Sequence, residues 1–245
     1  MSTAPATRTA ADPTGIASDP SRPTGPYRLV AGLARPAIRI LFRPRVRGLD
    51  RVPDRGGLVL CSNQLSNLDG FALAHPLYPR QVQWMGKAEL FRIPIFGHAA
   101  RAAGMIPIQR DNRKSAFESY RAAAERIRAG ASVVVFPEGT RGSDYRLREF
   151  KKGPFVLAVA AGVPIVPTIV HGTIEVMPRD SFFVRPHVVN VHFLEPIPAD
   201  GLTYEDRNRL SRLVRDRMAV AMRDLYAIES VAPTAPAREG ASAAD

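Results

Sequence analysis

Cys61-Ser62-Asn63-Gln64-Leu65-Ser66-Asn67-Leu68-Asp69-Gly70 is the stretch that decides how this chain folds. The apolar residues 57–60 before it predict a buried strand, and residues 71–74 after it predict the start of a helix. Polar side chains between a strand end and a helix start are typical of α/β proteins, in which ligands bind beside the carboxyl ends of the strands. The stretch therefore predicts an α/β fold and a functional loop.

From this stretch onward the chain alternates between strand and helix patterns. We predict strands at 57–61, 82–85, 105–108, 132–136, 164–170 and 188–194. We predict helices at 69–75, 94–103, 114–129 and 154–161, and a last helix that begins at Thr203, where Thr203 and Asp206 form a capping box. This alternation predicts one α/β domain over residues 48–230, with a mixed, largely parallel sheet flanked by helices.

Residues 27–47 form a strongly basic segment without an acidic residue. Arg28, Arg35, Arg39 and Arg43 are spaced along one side of a helix, and apolar residues lie beside them. Pro36 interrupts the segment, so we expect an amphipathic helix pair with a bend rather than one straight helix. Such a pair would lie in a membrane interface without crossing it. The alternative is a helix pair packed on the domain with its basic face in water.

The composition limits the partners and the environment of the chain. Its 245 residues carry a net charge of +11, which predicts an anionic partner, either a membrane surface or nucleic acid. The absence of a helix-turn-helix, zinc or aromatic-basic RNA motif argues against nucleic acid. We identify no signal peptide and no apolar run of about 18–20 residues that could span a bilayer. Residues 1–26 and 231–245 contain little to bury and predict disordered tails.

Four later stretches concentrate glycine, proline and polar residues beside predicted strand ends: residues 85–91, 104–111, 135–143 and 163–173. The stretch quoted at the start, residues 61–70, contains Asn63, Ser66 and Asp69, which match the pattern Asn-His-x-Ser-x-x-Asp. Together, and in this order, the five stretches resemble the sequence blocks of the glycerolipid and lysophospholipid acyltransferase family, which includes the bacterial 1-acylglycerol-3-phosphate acyltransferases. The resemblance covers about residues 48–200. It departs from the pattern at Gln64, which replaces the histidine.

The resemblance implies a glycerol-3-phosphate acyltransferase-like fold and an enzyme of phospholipid biosynthesis, bound peripherally to the cytoplasmic face of the plasma membrane. It implies transfer of an acyl group from acyl-CoA or acyl carrier protein, as co-substrate, to the hydroxyl of lysophosphatidate or a similar lysolipid. No metal and no other cofactor are expected. A neutral alcohol is a poor nucleophile, so the reaction needs a general base. In the family that base is the histidine replaced here by Gln64, and Asp69 orients it.

The later blocks supply the binding residues that the resemblance implies. Arg110 and Arg141 would hold the acceptor phosphate, because a phosphate dianion requires arginine forks. Glu138 would orient the glycerol or these arginines, and Pro167 would shape the floor of the acyl-donor site, with Asn63 and Ser66 in supporting positions. The full set assigned to the acceptor phosphate and glycerol is Lys87, Arg110, Glu138, Gly139, Thr140 and Arg141.

Gln64 leaves three interpretations open. A carboxamide cannot accept a proton in this pH range, and losing a general base reduces the rate by about 10²–10⁴. Gln64 is a substitution introduced into an ordinary enzyme, or the chain is a weakened or inactive homologue that binds lipid, or another group is the base. For the last interpretation the candidates are Asp69 and His171. The histidines without motif context are interpreted as structural or surface residues: His75, His98, His187 and His192.

Overall fold

The computed structural model describes residues 22–94, 96–102, 104–109, 113–179, 181 and 183–231. Within these ranges seven strands form one sheet: β1 (Arg45–Arg47), β2 (Leu58–Ser62), β3 (Val82–Lys87), β4 (Ile106–Ile108), β5 (Ser132–Val135), β6 (Ile165–His171) and β7 (Asn190–Phe193). Their order is β1-β7-β6-β2-β5-β3-β4. β6, β2, β5, β3 and β4 run parallel, β7 is antiparallel to β6, and β1 is parallel to β7. The predicted mixed, largely parallel sheet is confirmed.

The direction of the strands positions the five sequence blocks. Because β6, β2, β5, β3 and β4 are parallel neighbours, their carboxyl ends lie at the same edge of the sheet. Each block overlaps the end of one of these strands or the loop that follows it. The sheet therefore brings together segments that are separated by up to about 100 residues in the chain.

Helices cover both faces of the sheet. The described residues contain α1 (Gly25–Phe42), α2 (Asp69–Leu77), α3 (Phe96–Ala102), α4 (Arg113–Arg128), α5 (Gly153–Ala161), α6 (Thr173–Val176) and α7 (Arg207–Tyr226), with 3-10 helices at Leu49–Arg51, Ala88–Arg92 and Tyr204–Asp206. The predicted elements are confirmed to within a few residues, and the capping box of Thr203 and Asp206 is present. The sequence does not predict β1 or α6, because three or four residues are too few to show a period.

Strand β2 is buried on both faces, so its apolar run shows no alternation. Leu58 and Leu60 pack with buried residues of α1 and α2. Val59 and Cys61 pack on the opposite face with buried residues of α4, α5 and α7. Cys61 is a fully buried free thiol within this core. The loop after β2 therefore leaves the centre of a sheet that is covered on both sides.

The predicted helix pair in residues 27–47 is wrong, because α1 continues through Pro36. Tyr27 lies before Pro36 and Phe42 after it, and both are buried, so packing holds both halves of α1 against the domain. Proline removes only its own N–H from the helix hydrogen bonds. The carbonyl left without that donor belongs to Gly32, an exposed residue with open space around it, where water can bind.

The ends of the basic segment also differ from the prediction. α1 begins at Gly25, inside the predicted tail, because the Thr24 hydroxyl caps the helix by accepting a hydrogen bond from the Tyr27 N–H at 3.4 Å. α1 ends where Arg43 adopts a left-handed conformation, and Arg45–Arg47 pairs with β7 as a strand. The remainder of the predicted tails, residues 1–21 and 232–245, lies outside the described residues.

None of the helices within the described ranges has both the length and the apolar character needed to cross a bilayer.

Candidate active site

The Asp69 carboxylate organises the loop after β2. Its Oδ2 atom accepts hydrogen bonds from the backbone N–H groups of Leu65, at 2.6 Å, and Ser66, at 2.8 Å. Its Oδ1 atom accepts a hydrogen bond from the Thr173 hydroxyl at 2.5 Å. Asp69 is 1% exposed, so the carboxylate is a buried anchor between the loop and the start of α6.

Burial raises the pKa of Asp69 to about 6. The Thr173 hydroxyl, the two backbone N–H groups and the Arg141 charge each lower this pKa in part. The carboxylate is therefore largely ionised at neutral pH. Since Asp69 is buried behind the loop, its geometry does not suit the alternative in which it acts directly on a substrate hydroxyl.

Asn63 and Ser66, predicted as supporting residues, tie the same loop to its neighbours. The Asn63 side chain donates to the Val170 carbonyl at 2.8 Å and accepts from the Val170 N–H at 2.9 Å, so it brackets one residue of β6. The Ser66 hydroxyl donates to the carbonyl of Met177, just after α6, at 2.9 Å. Both side chains fix the position of the loop relative to β6 and the segment that follows it.

Gln64 is held by its backbone and free at its side chain. Its N–H donates to Glu138 Oε1 at 3.2 Å, and its carbonyl accepts from the Gly142 N–H at 2.7 Å. Its carboxamide forms no hydrogen bond with any described residue and lines an open groove. The position that the family pattern gives to a base is therefore firmly anchored and exposed to a ligand, but it carries an amide.

Glu138 holds two loops together instead of facing an open site. Its carboxylate is buried, and it accepts hydrogen bonds from the backbone N–H groups of Gln64 and Arg148, each at 3.2 Å. Burial raises the pKa of Glu138, while these two N–H groups and the Arg148 charge lower it in part. These contacts join the loops that contain Gln64 and Arg148, and the predicted role of Glu138 in orienting the glycerol or the phosphate-binding arginines stays a prediction.

Residues 139–141, which follow Glu138 in the third later stretch, form the exposed turn after β5. Gly139 has a φ of +69°, and a Cβ atom there would approach the Lys151 side chain to 2.7 Å, so glycine suits this turn. Thr140 is exposed. Arg141 is half-buried, and its Nη1 donates to the carbonyl of Arg179 at 3.1 Å. The influence of Arg141 on the pKa of Asp69 places its charge within electrostatic reach of the loop after β2.

Three other predicted residues have different outcomes. Lys87 is the last residue of β3, where its backbone pairs with Ile108 at the site edge of the sheet. Arg110 lies outside the described residues. Pro167 lies within β6 opposite Cys61 and is absent from the described lining of the groove at Gln64. The strand continues for four residues beyond Pro167, and its predicted place on the floor of the acyl-donor site stays a prediction.

His171, the second candidate for an alternative base, lies in an aromatic stack. Its ring is between Tyr145 and Tyr226, with ring centroids 4.0 Å away on each side. Burial lowers the pKa of His171, so the imidazole is neutral at physiological pH. The ring is not part of the described groove lining, and the stack supports a structural role. By contrast His75, which has no motif context, does line the groove.

The groove beside Gln64 has a volume of about 570 Å³, within the range of small-molecule sites. It lies between α1 and α2, and its described lining is mostly apolar: Tyr27, Val30, Ala31, Ala34, Arg35, Ile38, Gln64, Ser66, Asn67, Gly70, Phe71, Ala74, His75, Tyr78, Trp84, Ala100, Met105 and Phe136. A Cβ atom at Gly70 would lie 2.4 Å from Trp84 Nε1, so glycine allows the indole to pack on α2. From Gly70 to Tyr78 the groove follows α2 for about 12 Å.

The sequence does not single out Thr173, Arg148 or Arg179, which complete this arrangement. Thr173 is the last residue of the fourth later stretch, where a hydroxyl just beyond a strand end is a weak signal. Arg148 and Arg179 belong to loops without a motif, and nothing local distinguishes them from the other arginines of a basic chain.

Comparison with known proteins agrees with this geometry. A family model described as Acyltransferase matches residues 43–171, which contain β2 to β6 and the loops between them. The chain belongs to the acyltransferase family. The match covers the Asp69 anchor, Gln64 and the Glu138 turn, whereas Thr173 and Arg179 lie beyond it.

Relatives and a solved structure extend the comparison. The chain is 35% identical over 175 residues to "1-acyl-sn-glycerol-3-phosphate acyltransferase BAT2, chloroplastic" of Brassica napus, covering 69% of this chain and 50% of that protein. It is 31% identical to 1-acyl-sn-glycerol-3-phosphate acyltransferase alpha of Homo sapiens, covering 75% and 65%. The crystal structure of the 1-acyl-sn-glycerophosphate acyltransferase PlsC from Thermotoga maritima has the same fold, with a TM-score of 0.68, 24% identity, and coverage of 83% of this chain and 81% of that one. The chain spans about half the length of the Brassica protein.

Proposed function

We propose that this chain transfers an acyl group from acyl-CoA or acyl carrier protein to the hydroxyl of lysophosphatidate or a similar lysolipid. The observation that carries the proposal is the position of Gln64. It lies at the sheet edge formed by the carboxyl ends of the parallel strands, and its side chain lines an apolar groove. The loop that contains Arg141 is hydrogen-bonded to Gln64 through Gly142. An apolar groove fits an acyl chain, and a guanidinium group fits a phosphate.

The geometry suggests a role for each part. The acyl chain would occupy the groove between α1 and α2, with its thioester carbonyl near Gln64. The acceptor hydroxyl would attack that carbonyl, forming a C–O bond and breaking the C–S bond, and its proton would end on the leaving thiolate. The Gln64 carboxamide can hold the hydroxyl by a hydrogen bond but cannot take its proton in the transition state. We therefore expect slow turnover in the native chain.

The alternative is an inactive homologue that binds lipid on the same fold. Gln64 favours it, because a bound lipid would meet an amide where the family pattern has a base. Among the described groove residues, His75 carries an imidazole. It lies five residues beyond Gly70 on α2, which is about 7.5 Å along the helix axis. Asp69 has its carboxylate bound to protein donors. No described group is therefore in an obvious position to replace the histidine.

The exposed surface of α1 supports a proposed location on the cytoplasmic face of the plasma membrane. Leu29, Leu33 and Ile40 share one face of α1, and each is at least 65% exposed. Arg28 and Arg39 lie beside this face and are also exposed. Apolar side chains next to arginines favour the interface of an anionic bilayer, where each arginine contributes about 1 kcal/mol.

The test is an assay of thiol release from acyl-CoA and from acyl carrier protein, with lysophosphatidate or a monoacylglycerol of the same chain as acceptor. Release that depends on lysophosphatidate and falls in Arg141→Ala supports the proposed activity. Binding of lysophosphatidate, followed through the fluorescence of Trp84 in the groove, without release over several acceptors supports the inactive homologue. Turnover with either donor would exclude that alternative, and the absence of both binding and release would exclude both proposals.

A further inference from the structure

We propose that Arg179 is a second phosphate-binding residue, which forms a clamp with Arg141 around the phosphate monoester of the acceptor. The inference rests on the proposed function, because it assigns a residue to the same site. Arg179 lies outside the five sequence blocks and outside the matched family region, so neither the motifs nor the comparison indicates it. The path of the segment after β6 determines the position of Arg179.

The segment from α6 to Arg179 is fastened to the loop after β2. At its start the Thr173 hydroxyl donates to Asp69 Oδ1 at 2.5 Å. Near its end the Met177 carbonyl accepts a hydrogen bond from the Ser66 hydroxyl at 2.9 Å. Arg179 follows two residues later, so the loop that contains Gln64 also determines where Arg179 lies.

Arg141 and Arg179 are joined by reciprocal hydrogen bonds. Arg141 Nη1 donates to the Arg179 carbonyl at 3.1 Å, and Arg179 Nη1 donates to the Arg141 carbonyl at 3.4 Å. This exchange holds each guanidinium group beside the backbone of the other arginine. A guanidinium group has five N–H donors, and each arginine uses one of them in this exchange, so most donors remain for a ligand.

Neither Arg141 nor Arg179 forms an ion pair with a carboxylate in the described part of the chain, although the Arg141 charge acts on the buried Asp69. Some other surface arginines have one: Arg51, Arg121 and Arg209 lie 3.0–3.3 Å from carboxylate oxygens. Neither Arg141 nor Arg179 has a comparable ion pair with any described residue. A phosphate dianion that contacts both arginines would accept charge-assisted hydrogen bonds from their remaining N–H donors.

The position of the pair fits the acceptor. The next residue after Arg141, Gly142, donates its N–H to the Gln64 carbonyl at 2.7 Å, so the clamp adjoins the groove where the acyl transfer would occur. In lysophosphatidate the free hydroxyl and the phosphate are on neighbouring glycerol carbons. A site that binds the hydroxyl at Gln64 therefore needs its phosphate-binding groups close by. The phosphate has a second pKa of about 6 and is largely a dianion above neutral pH.

The experiment measures equilibrium binding through Trp84, the single tryptophan of the chain, which lines the groove. Lysophosphatidate and a monoacylglycerol with the same acyl chain are titrated into wild type, Arg179→Ala, Arg179→Lys and the control Arg185→Ala. Arg185 is an exposed arginine of the same segment, outside the proposed site. We expect Arg179→Ala to weaken lysophosphatidate binding about tenfold and to leave monoacylglycerol binding unchanged. Arg179→Lys should recover part of the loss, and Arg185→Ala should match wild type.

Further arms separate the acceptor phosphate from bilayer phosphates and from a structural role. Soluble glycerol 3-phosphate should compete with lysophosphatidate in wild type and compete more weakly in Arg179→Ala. If Arg179→Ala loses vesicle binding but keeps its preference for lysophosphatidate, the arginine binds the bilayer and the inference is wrong. An equal loss for both lipids would indicate a structural role and also overturn it. If wild type itself shows no preference for lysophosphatidate, the proposed function fails first.

Discussion

Gln64→His should restore a base at the anchored position in the loop after β2. The backbone of residue 64 is fixed by hydrogen bonds with Glu138 and Gly142, so a histidine would start from the same place as the glutamine. A carboxylate offers about four acceptor positions, and Asp69 accepts three hydrogen bonds from described residues. Two of them occupy Oδ2, so Oδ1 retains one position for an imidazole N–H. Asp69 can therefore orient the introduced imidazole without losing its hydrogen bond from Thr173.

The magnitude follows from general-base catalysis, which contributes about 10²–10⁴ in rate, or about 3–5 kcal/mol of barrier. Sharing Oδ1 with Thr173 should reduce the gain, so at least tenfold is expected. The rate should rise with pH, because the imidazole must be neutral and Asp69, with a pKa of about 6, must be ionised. The two groups would titrate as a coupled pair, and the rising limb should lie near or above pH 6.

The assay is thiol release from acyl-CoA with lysophosphatidate, measured from pH 5 to 9. Gln64→Asn is the matched control, because it keeps an amide and should show no gain. Gln64→His combined with Asp69→Asn should lose most of the gain, because an amide cannot stabilise the imidazolium that forms. The reasoning fails if Gln64→His binds lysophosphatidate as wild type does, by Trp84 fluorescence, and still shows no faster release.

Three further predictions follow from the same geometry. Between pH 4 and pH 8 wild type should lose about 3 kcal/mol of unfolding free energy relative to Asp69→Asn, measured by chemical denaturation, because burial raises the pKa of the wild-type carboxyl from 3.8 to about 6 and the stability of its protonated form is lost as pH rises through 6. Asp69→Asn should also carry a pH-independent cost, because its amide nitrogen cannot accept the hydrogen bonds of the buried carboxylate; a difference that does not change with pH would show that ionisation of Asp69 does not contribute. Ala74→Phe should fill the groove and weaken binding of long acyl chains at least tenfold while sparing short ones, because Ala74 lines the groove one turn beyond Gly70. Equal weakening for all acyl-chain lengths would show that the acyl chain binds outside this part of the groove. Leu33→Asp, at a side chain 74% exposed, should weaken flotation with anionic vesicles about tenfold without changing Tm. The control Val220→Asp, on α7, should leave both flotation and Tm unchanged. Unchanged flotation of Leu33→Asp would contradict membrane contact by α1.

The sequence alone determined the fold class and the segments that form the candidate site. Apolar runs such as residues 57–60 specify strands buried on both faces, and the Thr203–Asp206 capping box marks a helix start through bonds between near neighbours. These signals are local, so they survive in the linear chain. The order of the five blocks then identified the family, which the match over residues 43–171 confirms.

Only the tertiary structure decided which polar groups meet. The Asp69–Thr173 hydrogen bond joins residues 104 apart, and the Arg141–Arg179 exchange joins residues 38 apart, so neither leaves a local pattern. Packing also overrode a local rule at Pro36, where burial on both sides of the proline keeps α1 continuous. Backbone hydrogen bonds and hydrophobic periodicity act over a few residues, whereas a buried carboxylate must find its donors anywhere in the fold. For that reason the sequence located the loop around Gln64, and the sheet decided what surrounds it.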